Sequence, residues 1–201
     1  MRELVIATTN QGKLKEIKEL LKGVPVNITS LKDYPDCPPV EEDGKTFAQN
    51  ALKKAATVAF YTKKLTLGED SGLEVKALRN QPGIYSARFA GDNANDRRNN
   101  AKLLRSLKGV PLAKRQARYR CYAALVDAKT IVDVVNGSCN GVIGLRSQGK
   151  NGFGYDPLFI VPQYGKTFGQ LNGAIKAKIS HRAKALKKIK KVLQEILNSK
   201  L

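Results

Sequence analysis

The sequence predicts an α/β protein with a mixed central sheet and flanking helices. Three observations support this class. The first thirty residues alternate strand, helix and strand, which is the unit from which α/β folds are built. Residues 118–145 alternate as strands of a meander, which adds a second kind of strand pairing to the sheet. The length of 201 residues suits one compact core, so we expect a single domain over residues 1–201.

The elements of the first forty-four residues follow from hydrophobic periodicity. The run RELVIA predicts the first strand, and apolar residues at helical spacing predict a helix that starts at Gly12 and is ended by Gly23. Residues 26–31 are expected to form the second strand. Residues 32–44 hold three prolines and five acids, which indicates a loop.

The next segments combine a helix with a strand that ends in acids. Residues 46–61 carry apolar side chains at helical spacing, and Thr46 is expected to be the N-cap. A short strand is predicted over residues 64–68, followed by the acidic segment 69–72. Carboxylates at the end of a strand occupy the usual ligand position of α/β sheets. Residues 74–78 are expected to be extended.

The remaining elements complete the alternation. An amphipathic helix is predicted over residues 95–107. Three strands are predicted over residues 118–127, 130–136 and 138–145. After the glycine-rich segment GKNGFGYDP, a basic helix over residues 179–197 closes the chain.

Composition argues against several classes of protein. No apolar run approaches the about 20 residues that a membrane span needs, and the N-terminus lacks the apolar core of a signal peptide, so we expect no membrane contact and no targeting segment. The three cysteines form no CxxC pair, which argues against a disulfide framework or a thiolate zinc site and suits a reducing cytoplasm. The net charge of +19 attracts polyanions, so nonspecific nucleic-acid binding is one expectation.

A first candidate site lies between the first strand and the first helix. Thr8, Thr9, Asn10, Gly12 and Lys13 stand where free backbone N–H groups and the helix dipole favour a bound phosphate, and Lys13 adds a positive charge. The segment is not a Walker sequence, and an ordinary turn explains Asn-Gln-Gly equally well. Both interpretations stay open at this point.

A second candidate site is acidic. Glu69 and Asp70, together with the separate acids at residues 41–43, offer the oxygen ligands that Mg²⁺ prefers. One carboxylate could also act as a base for water that attacks a phosphorus atom. The competing interpretation is a solvated acidic turn.

A third candidate site carries aromatic residues. Glycines in residues 152–157 permit tight turns, Phe153 and Tyr155 could stack on a planar base, and Asp156 could accept from an imino N–H. The competing interpretation is a glycine-rich turn whose aromatics pack in the core.

A fourth candidate group supplies hydrogen-bond donors. Lys176, His181 and Arg182 can donate to a carbonyl oxygen, which would favour a 6-keto purine such as hypoxanthine or xanthine over adenine. The competing interpretations are a structural histidine and a solvated arginine.

Six motifs in this order resemble one family, the inosine triphosphate pyrophosphatases, also called dITP/XTP pyrophosphatases. The similar segments run from Arg2 to about Leu193 and are ATTNQGK, EEDGKTFAQNALKKA, GEDSGLEV, PGIYSARFAG, GFGYDPLF and ISHRAKAL. The resemblance implies an elongated α/β fold with two lobes around a nucleotide cleft. It also implies an Mg²⁺-dependent homodimer that hydrolyses ITP, dITP and XTP to the monophosphate and pyrophosphate.

The resemblance also implies roles for individual residues. Asp70 is the expected general base, and the expected metal ligands are Glu42, Glu69 and Asp70. The triphosphate and sugar side is expected to contact Thr8, Thr9, Asn10, Gln11, Gly12, Lys13, Lys54 and Ser71. The expected base-recognition set is Phe153, Gly154, Tyr155, Asp156, Lys176, His181 and Arg182.

Two alternatives to an active pyrophosphatase compete at this level. The basic C-terminal helix and the overall charge would also suit a nucleic-acid-binding protein. A nucleotide-binding relative with weakened turnover is the other alternative, because Gln49 stands where the family usually has Glu.

Overall fold

Two compact units make up the described part of the chain. The computed structural model describes residues 2–128 and 130–199. The first unit holds the described residues of 1–70, 121–137 and 182–201, and the second holds 71–120 and 138–181. The expected single domain and the expected nucleotide cleft stay predictions.

Helices and strands alternate along the described residues. The strands are β1 (Arg2–Ala7), β2 (Val26–Ser30), β3 (Leu65–Val75), β4 (Gln81–Pro82), β5 (Gln116–Val126), β6 (Ile131–Ile143), β7 (Phe159–Val161) and β8 (Lys166–Thr167). The α-helices are α1 (Gln11–Leu20), α2 (Phe47–Thr62), α3 (Asp96–Ser106), α4 (Gly173–Ile179) and α5 (His181–Asn198). Short 3₁₀ helices occupy Leu31–Asp33, Lys76–Leu78, Gly83–Arg88, Leu112–Lys114 and Pro162–Tyr164.

The strands form one mixed sheet in the order β2-β1-β3-β5-β6-β7-β8, with β4 paired to β3. β1 runs parallel to both β2 and β3, so Leu4 lies opposite Ile28 on one side and Leu65 on the other. β7 pairs antiparallel with β6 and with β8. The predicted α/β class with a mixed central sheet is therefore confirmed.

Helices cover both faces of the sheet in the first unit. Leu4 and Ile6 of β1 pack in a core with apolar side chains of α1 and α5. Val5 and Ala7, which point to the opposite face, pack against Val58 of α2. Burial on both faces explains why β1 reads as a continuous apolar run rather than an alternating one.

Gly68 allows α2 to lie directly on β3. A Cβ atom at Gly68 would fall 2.3 Å from the Ala51 carbonyl oxygen and 2.6 Å from the Ala55 backbone nitrogen. Both neighbours are helix backbone atoms, which cannot move aside as a flexible side chain would. This close approach places two side chains of α2, Asn50 and Lys54, beside Asp70 of β3.

The second unit has a core rich in aromatic residues. Leu103 of α3 and its C-cap residue Leu107 are buried in this core together with Phe159 and Phe168. The Tyr119 ring lies 4.6 Å from the Phe159 ring and 6.3 Å from the Phe168 ring, measured between centroids. These aromatic contacts join β5, β7 and the segment after β8 in one core, in which Leu103 of α3 is also buried.

The strand that carries the acids is longer than predicted. The strand expected over residues 64–68 continues as β3 to Val75, so Glu69 and Asp70 lie inside the strand rather than after it. The expected extended segment 74–78 contributes only its first two residues to β3 and then becomes a 3₁₀ helix. The prediction failed because charged residues normally end a buried strand, whereas here internal ion pairs satisfy them.

Other boundaries also differ from expectation. The two strands predicted over 130–136 and 138–145 are one strand, β6, because Gly137 occupies an inward position of the alternating pattern. The terminal helix begins at His181, since Ser180 is extended with φ −67° and ψ 160°. The elements α4, β4, β7 and β8 were not predicted, because two to seven residues carry too little periodicity.

Candidate active site

Asp70 is held by two side chains of α2. The Lys54 Nζ lies 3.2 Å from Asp70 Oδ1, and Asn50 Nδ2 donates to Asp70 Oδ2 at 3.3 Å. Asn50 and Lys54 are four residues apart, so they share one face of the helix. The sequence reasoning missed Asn50, although its spacing from Lys54 could have indicated it.

Glu42 joins the same group from the loop before α2. Its Oε2 lies 2.8 Å from the Lys54 Nζ, so two carboxylates converge on one ammonium group. The loop is tied down because the Gly44 backbone N–H donates to Asn50 Oδ1 at 2.8 Å. Glu42, Asn50, Lys54 and Asp70 are called the Asp70 cluster below.

Burial and like charge set the protonation of Asp70. The residue is only 5 % exposed, and burial together with the negative charges of Glu42 and Glu69 raises its pKa to about 6, against the opposing effect of Lys54. Burial also disfavours the charge of Glu42, but the Lys54 ammonium outweighs it and lowers the Glu42 pKa. Carboxyl groups whose pKa values are driven apart are typical of acid–base sites. The alternative of a solvated acidic turn is wrong.

Glu69 points to the other face of β3, because successive strand residues alternate. Its Oε2 lies 3.0 Å from the Lys13 Nζ, and its Oε1 lies 3.0 Å from Arg182 Nη2. The Cys121 thiol donates to the same Oε1 at 3.2 Å, and Arg182 also pairs with Glu16. The side chain of Glu69 is completely buried, so these cations neutralise its charge.

The predicted phosphate loop lies between β1 and α1. Asn10 caps the helix, since its Oδ1 accepts from the Lys13 N–H at 3.0 Å, and the Thr8 hydroxyl accepts from the Asn10 N–H at 3.2 Å. Thr9 and Gln11 are exposed. Burial lowers the pKa of Lys13, but Glu69 more than compensates and the pKa is raised, so Lys13 is an ammonium group at neutral pH.

The aromatic segment 152–157 forms a second cluster within the second unit. Phe153 is partly exposed, and the Lys176 Nζ lies 4.7 Å from the centre of its ring. Lys176 forms an ion pair with Asp156, and Asp156 Oδ2 also accepts from the Phe153 N–H at 3.0 Å. Gly152 is required here, because its φ is +75° and a Cβ would fall 1.9 Å from Asp156 Oδ2.

Five of the seven predicted base-site residues are buried, namely Tyr155, Asp156, Lys176, His181 and Arg182. Tyr155 is 3 % exposed and belongs to the aromatic core, and its hydroxyl donates to the Ser86 carbonyl oxygen at 2.8 Å. The His181 ring stacks on Tyr119 with centroids 4.6 Å apart. Of the two aromatic rings in the segment, Tyr155 is buried and Phe153 is partly exposed.

Comparisons with known proteins show the family to which the chain belongs. A sequence model of the Ham1 family matches residues 4–192. The chain belongs to the Ham1 family.

Ham1-family relatives match the chain over nearly its whole length. It is 50 % identical over 194 residues to the dITP/XTP pyrophosphatase of Desulforamulus reducens, covering 96 % of each chain. It is 49 % identical to the dITP/XTP pyrophosphatase of Geobacter sulfurreducens, covering 94 % of this chain and 96 % of that protein. The resemblance inferred from the six motifs is therefore confirmed, and these similarities do not favour a nucleic-acid-binding protein.

Solved Ham1 structures have the same fold. The HAM1 protein from Coxiella burnetii is 37 % identical with a TM-score of 0.88, and the alignment covers 97 % of this chain and 100 % of that one. The Ham1 protein of Staphylococcus aureus is 38 % identical with a TM-score of 0.85, and the alignment covers 96 % of this chain and 99 % of that one.

Across the described residues, none of the helices has the length and apolar character that crossing a membrane requires.

Gln49 has a structural task in this Ham1 chain. Its Oε1 accepts from the Lys45 N–H at 2.9 Å, while its own N–H donates to the Thr46 hydroxyl at 3.2 Å. These contacts stabilise the first turn of α2, and Thr46 is the N-cap as predicted. A glutamate at position 49 could accept the same hydrogen bond, so the amide leaves the helix start intact.

The remaining predicted residues have defined positions. Ser71 follows Asp70 on β3 and is half-buried. Arg182, predicted as a base donor, is 1 % exposed, and its guanidinium contacts Glu16 and Glu69. Glu16 was missed by the sequence reasoning, because a glutamate on an amphipathic helix ordinarily reads as a solvated residue.

Proposed function

We propose that this Ham1-family protein hydrolyses ITP, dITP and XTP to the nucleoside monophosphate and pyrophosphate, and so removes them from the nucleotide pool. The observation that carries the proposal is the Asp70 cluster, in which a buried carboxylate shares one lysine with a second carboxylate. The names of the relatives, dITP/XTP pyrophosphatases at up to 50 % identity, support the substrate class.

Asp70 is the general base of the proposed reaction. Above a pH of about 6 its carboxylate is mostly ionised and can accept a proton from water. The water oxygen forms a bond to the α-phosphorus, and the bond from that phosphorus to the bridging oxygen breaks. Pyrophosphate leaves with the bonding electrons, and the proton stays on Asp70.

The lysines of the first unit bind the triphosphate. Lys54 and Lys13 are ammonium donors fixed by carboxylates, which reduces the entropy lost when phosphate oxygens bind. Thr8, Thr9, Asn10, Gln11 and Gly12 add hydroxyl, amide and backbone donors at the start of α1. Ser71 would contact the substrate beside Asp70.

The convergent carboxylates of Glu42 and Asp70 fit a divalent cation, which we take to be Mg²⁺. Both acids contact the same Lys54 ammonium, so their oxygens already surround one positive centre. Mg²⁺ typically takes one or two carboxylates and fills its other positions with water and phosphate oxygens. When bound, Mg²⁺ offsets charge on the phosphate oxygens.

Glu69 was predicted to be a metal ligand, but we assign a different role to it. Its carboxylate lies on the opposite side of β3 from Asp70 and contacts Lys13, Arg182 and Cys121. We assign to Glu69 the orientation of the Lys13 ammonium toward phosphate. The described residues contain no group of three or more His, Cys, Asp or Glu side chains arranged as a metal site.

The second unit supplies recognition of the base. The partly exposed Phe153 ring can stack on a purine, and Lys176 and His181 carry donors suited to a 6-keto oxygen. Adenine presents an amino group at that position and would leave these donors unpaired. Gly154, Tyr155 and Asp156 set the backbone conformation of the segment. Arg182 contacts Glu69, so we assign to it an indirect effect on the substrate through that carboxylate.

Pyrophosphate release from a panel of nucleotides tests the proposal. ITP, dITP and XTP should be hydrolysed well above ATP and GTP, with Mg²⁺ and not with EDTA. Lys54→Met should lower kcat/KM for ITP by at least a hundredfold, because the ammonium contacts Asp70 and Glu42. Lys53→Met is the matched control, since Lys53 pairs with the exposed Asp43. Equal rates on all five nucleotides, or no release from any, would refute the proposal.

The homodimer and the cytoplasmic location implied by the resemblance belong to this proposal as well. Free thiols at Cys37, Cys121 and Cys139 suit a reducing compartment. Mass measurements from low to high salt should give a dimer, most completely at high salt, because the charge of +19 opposes self-association. A monomer at every ionic strength would contradict it.

A further inference from the structure

Two side chains of α3 bind both backbone polar groups of Gly154, its N–H and its carbonyl oxygen. The Gly154 N–H donates to Asp96 Oδ2 at 2.6 Å, and the Gly154 carbonyl oxygen accepts from Asn100 Nδ2 at 2.8 Å. Gly154 has a φ of +62°, a conformation that is open to glycine and costly for other residues. The chain is therefore held at this position in a backbone conformation that residues other than glycine rarely adopt.

The two binding side chains form a unit on the helix. Asp96 and Asn100 are four residues apart and face the same way, and Asn100 Nδ2 also donates to the Asp96 carbonyl oxygen at 2.8 Å. Asn100 Oδ1 is buried with no hydrogen-bond partner among the described residues. Leaving this acceptor unpaired costs free energy. The side-chain amide of Asn100 nevertheless keeps this orientation, because its Nδ2 donates to the carbonyl oxygens of both Asp96 and Gly154.

The helix that carries them is itself fixed. Leu103 and the C-cap residue Leu107 anchor the C-terminal end of α3 in the aromatic core. On another side of the helix, Asn99 holds the segment at residues 87–90, since Asn99 Oδ1 accepts from the Ala90 N–H at 2.8 Å and Asn99 Nδ2 donates to the Ala87 carbonyl oxygen at 3.0 Å. Asp96 and Asn100 thus connect a rigid helix to the segment that carries Phe153.

Phe153 depends on that connection more than its neighbours do. Tyr155 is anchored by its own buried ring and hydroxyl, and Asp156 by Lys176. The Phe153 N–H is bound by Asp156 and its partly exposed ring contacts Lys176, so the direction of the ring follows the backbone at residues 153–154. A backbone released at Gly154 would let the ring turn away from Lys176.

We propose that Asp96 and Asn100 are positioning residues for base recognition, because they hold the Gly154 peptide and thereby fix the stacking face of Phe153. This inference rests on the proposed function, which gives Phe153 its role toward the purine. Asp96 and Asn100 touch neither phosphate nor metal residues within their unit. Their loss should therefore change binding of the base and leave binding of phosphate unchanged.

Two product inhibitors separate the two effects. Inosine monophosphate carries the base and one phosphate, and pyrophosphate carries phosphates alone. Asp96→Ala and Asn100→Ala should each raise the inhibition constant of inosine monophosphate about tenfold, the usual loss when one such hydrogen bond is removed. The inhibition constant of pyrophosphate should change by less than twofold. Asp96→Asn, which retains an acceptor oxygen, should restore most of the affinity.

Asn99→Ala is the matched control for stability. Asn99 is an equally buried asparagine with two backbone hydrogen bonds, but these bind residues 87 and 90 rather than Gly154. Asn99→Ala should lower the melting temperature as much as Asn100→Ala does and leave inosine monophosphate inhibition unchanged. If Asn99→Ala weakens that inhibition equally, or if pyrophosphate binding weakens in parallel, the positioning role is refuted.

Phe153→Ala distinguishes failure of this inference from failure of the function on which it rests. If Phe153→Ala weakens inosine monophosphate inhibition and Asn100→Ala does not, the positioning role alone is wrong. If Phe153→Ala has no effect, the base-recognition role of the segment is wrong, and the positioning role is refuted together with it.

Discussion

Replacing Asp70 by Asn should make the protein more stable at neutral pH while abolishing its activity. An Asp carboxyl ordinarily titrates near 3.8, whereas burial of Asp70 and the nearby charges of Glu42 and Glu69 raise its pKa to about 6. The folded chain therefore holds this proton more tightly than the unfolded chain. The stability that protonation gives is complete below about pH 4 and is lost as the pH rises through about 6.

The magnitude follows from the displacement of the Asp70 pKa. One pKa unit corresponds to about 1.4 kcal/mol, so at pH 7.5 the ionised Asp70 lowers the free energy of unfolding by up to about 3 kcal/mol. The amide introduced by Asp70→Asn carries no charge at any pH and avoids this cost. The gain of Asp70→Asn over the parent should therefore grow by about 2 kcal/mol between pH 4.5 and pH 7.5.

Urea unfolding in EDTA at the two pH values measures the effect without a bound cation. Asp43→Asn is the control, because Asp43 is exposed and its pKa is lowered by Lys53, which gives the opposite sign. A difference between Asp70→Asn and the parent that is the same at pH 4.5 and pH 7.5 would refute the reasoning. Turnover of ITP by Asp70→Asn should fall by a factor of about 10²–10⁴.

Three further substitutions test particular contacts. Gly68→Ala should lower the free energy of unfolding by about 1–3 kcal/mol or more, because the Cβ would overlap the Ala51 carbonyl oxygen; urea unfolding measures it. Gln49→Glu should leave Mg²⁺-dependent turnover of ITP within about twofold, since a carboxylate can accept from Lys45 equally well; a larger gain would restore the idea of a weakened enzyme. Gly152→Ala should destabilise the protein by about 1–3 kcal/mol and weaken inosine monophosphate inhibition, and an unchanged melting temperature would contradict the strain argument.

Local patterns predicted most helices and the residue types of the site. The N-cap of α2 and the apolar stripes of α1 and α5 depend on neighbours within a few residues, and these helices lie close to where periodicity places them. The fate of Glu69 and Asp70 was harder to predict. Two adjacent acids in a sequence predict an exposed turn. In the structure Lys13 of α1 pairs with Glu69 and Lys54 of α2 pairs with Asp70, and local sequence does not reveal these pairs.

The amino-acid sequence was enough to predict the α/β class and the family, both of which are confirmed, and to nominate residues for phosphate, base and metal, which stay predictions. Their grouping depends on the packing of the chain, which places Asp70 with Lys54 and Glu42, places Glu69 with Lys13 and Arg182, and buries Tyr155 while Phe153 stays partly exposed. The physical reason is that a strand sends neighbouring side chains to opposite faces, and only the helices packed on each face determine which charges they meet.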